Sequence, residues 1–143
     1  MVTPPQRVDD QDIVALDEAA LLLKACPDLH DWPMRWRYDD SDIAPGTGIV
    51  AIFTPFLLDL LHRKPSKRTF NRHRDNLWLV GGEIIRRRRI DPDLERLPID
   101  PLVGELIEAD GGPLISPPLT ESEQKAIDAT CRKLHRFLSG SNP

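Results

Sequence analysis

The sequence predicts an all-α fold, a compact bundle of about five to six short helices with proline-rich connectors. Three observations carry that expectation. Apolar residues recur at steps of three and four, the period that gathers them on one helix face. Ser, Thr or Asp precedes several of these stretches, where it can cap the free backbone N–H groups of a helix start. The 14 prolines lie mainly in the intervals, among them Pro4, Pro5, Pro27, Pro33, Pro45, Pro98, Pro113, Pro117 and Pro118, and make those turns stiff.

The first helix is expected over residues 12–25, where Ile13, Leu16, Ala20 and Leu23 keep helical spacing and Val14, Leu21 and Leu22 widen the face. Asp9, Asp10 or Asp12 caps it and Pro27 stops it. Residues 28–47 read as irregular, with Trp32, Trp36 and Tyr38 set among charges. These aromatics either bind a ligand or stack on bases, or they pin a long loop onto the core; the second is the expectation. Gly46-Thr47-Gly48 opens residues 49–63, where Ile49, Ile52, Phe53, Phe56, Leu57, Leu60 and Leu61 mark the central buried element. Pro55 divides that reading. Thr54 can cap a fresh helix with Pro55 in its first turn, leaving residues 49–53 as a separate turn or a short strand pair near Ile49.

Lys64-Pro65 breaks the helix and Ser66 stands as N-cap of the next, which starts at Lys67 and reaches at least Val80. Phe70, Leu77, Val80 and Ile84 share one side of it, while Arg68, Arg72 and Asn76 fall largely opposite. Gly81-Gly82 ends or kinks this helix, or else it continues through Arg89, since Ile84 keeps the phase. Asp91-Pro92 and Asp100-Pro101 each look like a cap followed by proline at the first helical position, the second leading into residues 102–109. Residues 114–119 read as an extended connector. Thr120 and Glu123 form a capping box for the last helix, whose Ile127, Cys131, Leu134 and Leu138 repeat at four, three and four. Gly140 ends it. The 143 residues are expected to form one domain, frayed at 1–10 and 140–143.

Charge is distributed unevenly. The net charge is −4, yet residues 63–89 hold ten of the 19 basic residues against two of the 23 acidic ones, a local +8 over a remainder of −12. Segregation of this kind creates a field that the total conceals. A short helix over 55–63, a tight turn, and a second helix over 66–80 opening with basic and amide side chains give the layout of a helix-turn-helix. Lys67, Arg68, Asn71 and Arg72 occupy the turns that enter a major groove. Arg matches guanine and Asn matches adenine through paired hydrogen bonds. Lys64, Arg74, Arg86, Arg87, Arg88 and Arg89 are then candidates for phosphate contacts.

Ser66-Lys67-Arg68-Thr69-Phe70-Asn71-Arg72-His73-Arg74-Asp75-Asn76-Leu77 resembles the reading helix of LuxR-type transcriptional activators in the order of its Ser, Thr, apolar, His, Arg, Asn and apolar positions. The resemblance implies that Thr69 and Phe70 seat the helix and that Lys67, Arg68, Asn71 and Arg72 face DNA. It covers about a tenth of the chain. Arg63 stands where that family has an apolar residue, and Trp78, Leu79 and Val80 replace its basic end.

Other classes find less support. His30, His62, His73 and His135 lack metal-ligand spacing, and two distant cysteines, Cys26 and Cys131, read as buried free thiols. Gly46-Thr47-Gly48 lacks the lysine of a phosphate loop, and no nucleophile elbow surrounds Ser66 or Ser116. No apolar run reads as membrane-spanning and no secretory start is evident, so a cytoplasmic location is the default expectation. The sequence thus predicts a non-catalytic regulatory or accessory protein with no cofactor and no metal, binding nucleic acid through its basic helix. The alternative is an adaptor that docks this helix on an acidic protein partner.

Overall fold

The computed structural model describes residues 10–140, with side chains from residue 17 onward. Among these residues the chain forms seven α-helices and no β-strand, as an all-α fold requires. They are α1 (Asp10–Ala25), α2 (Trp32–Trp36), α3 (Ile43–His62), α4 (Lys67–Ile90), α5 (Pro92–Glu95), α6 (Ile99–Leu106) and α7 (Glu121–Leu138). The proposed caps of α1 at Asp9, Asp10 and Asp12 and its apolar Ile13, Val14 and Leu16 lie outside the described residues or side chains; of the ends expected to fray, 1–10 and 140–143, only Asp10, the first residue of α1, and Gly140, in the turn after α7, are described.

Helices α3 and α4 form the centre. α3 packs against α2, α4, α6 and α1, and α4 adds contacts to α2, α5, α6 and α7. Ile49, Phe53, Phe56, Leu57 and Leu60 of α3 and Phe70, Leu77, Val80, Ile84 and Ile85 of α4 are buried in one cluster with Leu102, Ile127 and Leu134. Against the expectation that no apolar run reaches membrane-spanning length, residues 40–62 are long and apolar enough to cross a membrane by length and composition. In this fold the apolar face of α3 is the one covered by its neighbours.

The strand pair expected near Ile49 does not form. α3 is continuous for 20 residues with Pro55 inside it, and Thr54, expected as a cap, instead donates its hydroxyl to the Val50 carbonyl at 2.8 Å. Pro55 cannot donate to the Ala51 carbonyl, but both residues are exposed, so water can serve that acceptor. Pro55 therefore does not open a separate supporting helix; residues 55–62 are the second half of a buried rod. Pro45, in the first turn of α3, removes an N–H that would have lacked a partner anyway.

α4 runs 24 residues straight through Gly81-Gly82. The glycines are there for α2, whose Trp36 ring lies against them. A Cβ built on Gly81 would overlap Cζ2 of that indole, whereas one on Gly82 would stand 3.3 Å from Cδ1. The Trp36 indole N–H then donates to the Trp78 carbonyl of α4 at 2.9 Å. Trp32, packed 5.6 Å from Trp36, donates its N–H to Asp28 at 3.2 Å. Residues 28–47, expected to be irregular, instead carry α2 and the first turn of α3; both tryptophans are buried and pin this stretch to the core as expected, whereas Tyr38 is exposed.

The later elements follow the sequence with small shifts. Ser66 caps α4 by accepting from the Thr69 amide at 3.1 Å, and Asp91 caps α5 by accepting from the Asp93 amide at 2.9 Å. Thr120 and Glu123 make both bonds of the capping box on α7. α6 begins at Ile99, before Asp100-Pro101, because the extended Pro98 stands at its N-cap and its carbonyl receives the Leu102 amide at 3.0 Å. Leu138, expected on the buried face of α7, is exposed beyond the end of the core.

Gly81→Ala should lower stability by about 1–3 kcal/mol through overpacking against Trp36, despite alanine's better helix propensity. Gly82→Ala, with only a mild approach, should fall closer to neutral. Urea unfolding of the two variants beside the parent measures the difference.

Candidate nucleic-acid interface

The sequence places ten candidate residues on or beside α4, and the structure divides them into two groups. At the C-terminal end three of the four guanidinium groups, those of Arg86, Arg87 and Arg89, are engaged. Glu83 is buried, with 1% of its side chain exposed, and takes Arg86 at 2.7 Å and Arg87 at 2.8 Å. It also accepts the Ser116 amide at 2.8 Å, and Arg87 donates to the Leu114 carbonyl at 2.8 Å. One carboxylate thus fastens the extended connector after α6 to the middle of α4. Burial pushes the Glu83 carboxyl up, but hydrogen bonds from Arg86, Arg87 and Ser116 outweigh it and hold the group below its ordinary value.

Arg89 is shared between Asp39 at 3.0 Å and Asp42 at 3.1 Å, with its guanidinium 5.2 Å from the centre of the Tyr38 ring. The Asp39 carboxyl is drawn down to about 2, first by the Ser41 hydroxyl and then by Arg89. Arg88 is half-buried, with its Nε enclosed and without a hydrogen-bond partner among the described residues. Arg86, Arg87 and Arg89, predicted as phosphate contacts, are therefore internally paired: Arg86 with Glu83 of its own helix, Arg87 with Glu83 and the 114–116 connector, and Arg89 with the turn that follows α2. Arg74 joins them in part: it pairs with Asp75 at 3.0 Å and donates to the Ala25 carbonyl at 3.4 Å.

The N-terminal group differs. Lys64, Lys67, Arg68 and Arg72 are exposed and Asn71 is half-exposed; among the described residues none of these side chains makes a hydrogen bond or ion pair. Lys64 occupies the tight connection between α3 and α4 with φ 52°, and no acidic residue stands in the first turn of α4. The left-handed turn and the Ser66 cap fix where α4 begins, and so where Lys67 and Arg68 project.

The flank of α4 beside them is held by α7. His73 shares a hydrogen bond with the Thr130 hydroxyl at 2.8 Å, and Asn76 donates to that hydroxyl at 2.9 Å and to the Ala126 carbonyl at 3.2 Å. Asn76, expected on the open side with Arg68 and Arg72, is thus buried, because α7 covers more of the helix circumference than a single apolar stripe implies. His73 is buried as well, with its ring hydrogen-bonded to Thr130. Burial first, and then the charges of Lys133 and Arg72, hold its imidazole below the ordinary value. Lys133, exposed on α7, lines a small cavity with Asp59, Arg63 and Arg136 on the α3 side.

Neither thiol is poised for chemistry. Cys26 and Cys131 are buried and free, and burial, with Asp28 and Asp128 respectively, pushes each up to about 12. Among the described residues no group of three or more His, Cys, Asp or Glu side chains is placed to hold a metal ion. Compared with protein families, with curated proteins and with solved structures, the chain finds no match.

Glu83→Gln should cost about 2–3 kcal/mol at neutral pH, since charge-assisted bonds to two arginines are lost while the arginines stay in place. The folded value of Glu83 lies below its unfolded value of 4.5, so its contribution is complete above that value and is lost as pH falls through the folded one. The gap between parent and variant in urea unfolding should accordingly narrow on acidification and remain constant from about pH 6 upward.

Proposed function

We propose that the protein binds nucleic acid through the positive end of α4, with Lys64, Lys67, Arg68, Asn71 and Arg72 as the contacting face. The observation that carries this reading is local and electrostatic. The free N–H groups of a helix start amount to about half a positive charge, so a cation there costs roughly 0.3–1 kcal/mol. Lys67 and Arg68 are the first two residues of α4, and no acid in that turn offsets them. A polyanion would. At the opposite end Arg87, Arg88 and Arg89 sit where the same dipole favours them, and their position needs no ligand.

The chemistry of the face fits a polynucleotide. Lys64 and Lys67 are point charges suited to phosphates, while Arg68 and Arg72 offer forked donors that match phosphate or a guanine edge. Asn71 can pair with an adenine edge in the same register. The LuxR-like pattern over residues 66–77 points the same way for Lys67, Arg68, Asn71 and Arg72. The alternative partner, an acidic protein surface, uses the same cations without the base-reading groups.

Mobility-shift titration with random duplex at two salt concentrations tests the reading. Affinity should fall steeply with salt, and Arg68→Ala/Arg72→Ala should flatten the log–log slope by about 2, one near-unit step for each phosphate contact removed. Absence of a shift at low salt would transfer the face to the acidic-protein reading. Arg68→Glu gives a sharper contrast. It should raise stability by about 0.5–1 kcal/mol, because an acid at a helix start is favourable, while it abolishes binding. The His73 titration followed by NMR supplies a third measurement. A phosphate settled on Arg72 removes one of the influences that depress it, so its value should rise on binding.

A further inference from the structure

A cleft of about 520 Å³ opens between the last turns of α1, the α3–α4 connection and the first two turns of α4. Its polar lining is one-signed: Lys24, Lys64, Lys67 and Arg74 surround it with the Asn71 amide, and no carboxylate lines it. That stands out in a chain with 23 acidic residues and a net charge of −4. Its remaining walls are apolar, with Leu21, Leu61 and Phe70 among them. Leu21 is 41% exposed, although it belongs to a helix whose Leu22 is buried, so the apolar surface of α1 continues outward into the cleft.

We infer that this cleft binds a small amphiphilic organic acid, an anionic head joined to an apolar body. The size lies within the range of small-ligand sites. Lys24, Lys64 and Lys67 meet no acid among the described residues, whereas Arg74 is already paired with Asp75, and three unpaired cations specify a negative head. Lysine amines, being compact and mobile, suit a single carboxylate. The apolar walls specify the body behind that head, and they exclude a sugar-phosphate backbone, which would leave Leu21 and Leu61 uncovered. Base stacking is excluded too, because the Phe70 ring is buried. This inference does not rest on nucleic-acid binding. The two sites share Lys64, Lys67 and Asn71, however, so an occupied cleft withdraws cations from the face of α4 and makes the acid a competitor of any polyanion bound there.

Calorimetric titration of the full chain with decanoate, against decanol and acetate, tests the assignment. Decanoate should bind at submillimolar concentration and at least tenfold more tightly than either control, since each control lacks one half of the ligand. Lys24→Glu should weaken decanoate at least tenfold, and Leu21→Asn should weaken it severalfold. Both residues lie outside the proposed nucleic-acid face, so neither result depends on that reading. Lys64→Glu provides a second charge variant, and unfolding midpoints confirm that each protein is folded. Equal affinity for decanol and decanoate, or an unchanged affinity in both charge variants, would overturn the inference. So would silence toward decanoate alongside binding of an acidic amphipathic peptide, which would make the cleft a protein-docking site, or alongside binding of anionic phosphatidylglycerol vesicles, which would make it a membrane contact.

Discussion

The carboxylate of Glu83 decides how α4 distributes its charge. A 24-residue helix bearing eight lysines and arginines cannot enter a core unless the cations near its buried portion are neutralised or turned outward. Glu83 performs the neutralisation from within: its two oxygens receive Arg86, Arg87 and the Ser116 amide, leaving little of its hydrogen-bonding capacity open. Asp42 and Asp39 serve Arg89 in the same manner from the turn before α3. With those charges satisfied, Ile84 and Ile85 can be fully buried, and α2, the 114–116 connector and α5 can close around the C-terminal half. The arginine run is thus part of how the protein holds together.

Such a solution works at one end of the helix only. The same segment of sequence supplies Lys67, Arg68 and Arg72 at the other end, and there no internal acid stands among the described residues to meet them. Natural sequences tend toward agreement between local preference and global structure, and a local rule broken without compensation marks a place selected for something else. Cations at a helix start are such a breach. The polar lock of Thr130 with His73 and Asn76 adds to it, because it fixes α7 on the flank of α4 beside them. A surface held in this way presents its charge without reorganising, which is what favours binding over a set of freely moving lysines.

Helix content, the caps at Ser66, Asp91 and Thr120, and the pinning role of Trp32 and Trp36 were legible because each depends on residues close in sequence. Pro55 misled because its effect depends on which face it occupies: on the exposed side of α3 a missing hydrogen bond goes to water, and the helix continues. Gly81-Gly82 misled for a related reason. As local signals the pair reads as an end or a kink, but the space it leaves belongs to a tryptophan 45 residues earlier in the chain. The candidate site divides along the same line. Lys67, Arg68 and Arg72 could be read as outward-facing from the helical period alone, whereas the pairing of Arg86, Arg87 and Arg89 depends on where Glu83 and the 39–42 turn come to rest. The period puts Asn76 on the wrong side because one repeat cannot show that two neighbours, α3 and α7, flank the helix.

The two ends of α4 therefore answer to different pressures, although composition treats them as a single basic block. At the C-terminal end the dipole, Glu83 and the two aspartates all favour arginine, so replacing these residues affects the folded state before it affects any partner. At the N-terminal end the dipole opposes Lys67 and Arg68, and the residues that would lower the cost, acids in the first turn, are missing. Stability and charge are coupled with opposite signs along one rod. Total positive charge is for that reason a poor guide to where this protein meets an anion; the useful quantity is charge that the fold leaves uncompensated. By that measure the charge left uncompensated lies at the α3–α4 connection, and the apolar cleft that opens there is lined by the same lysines.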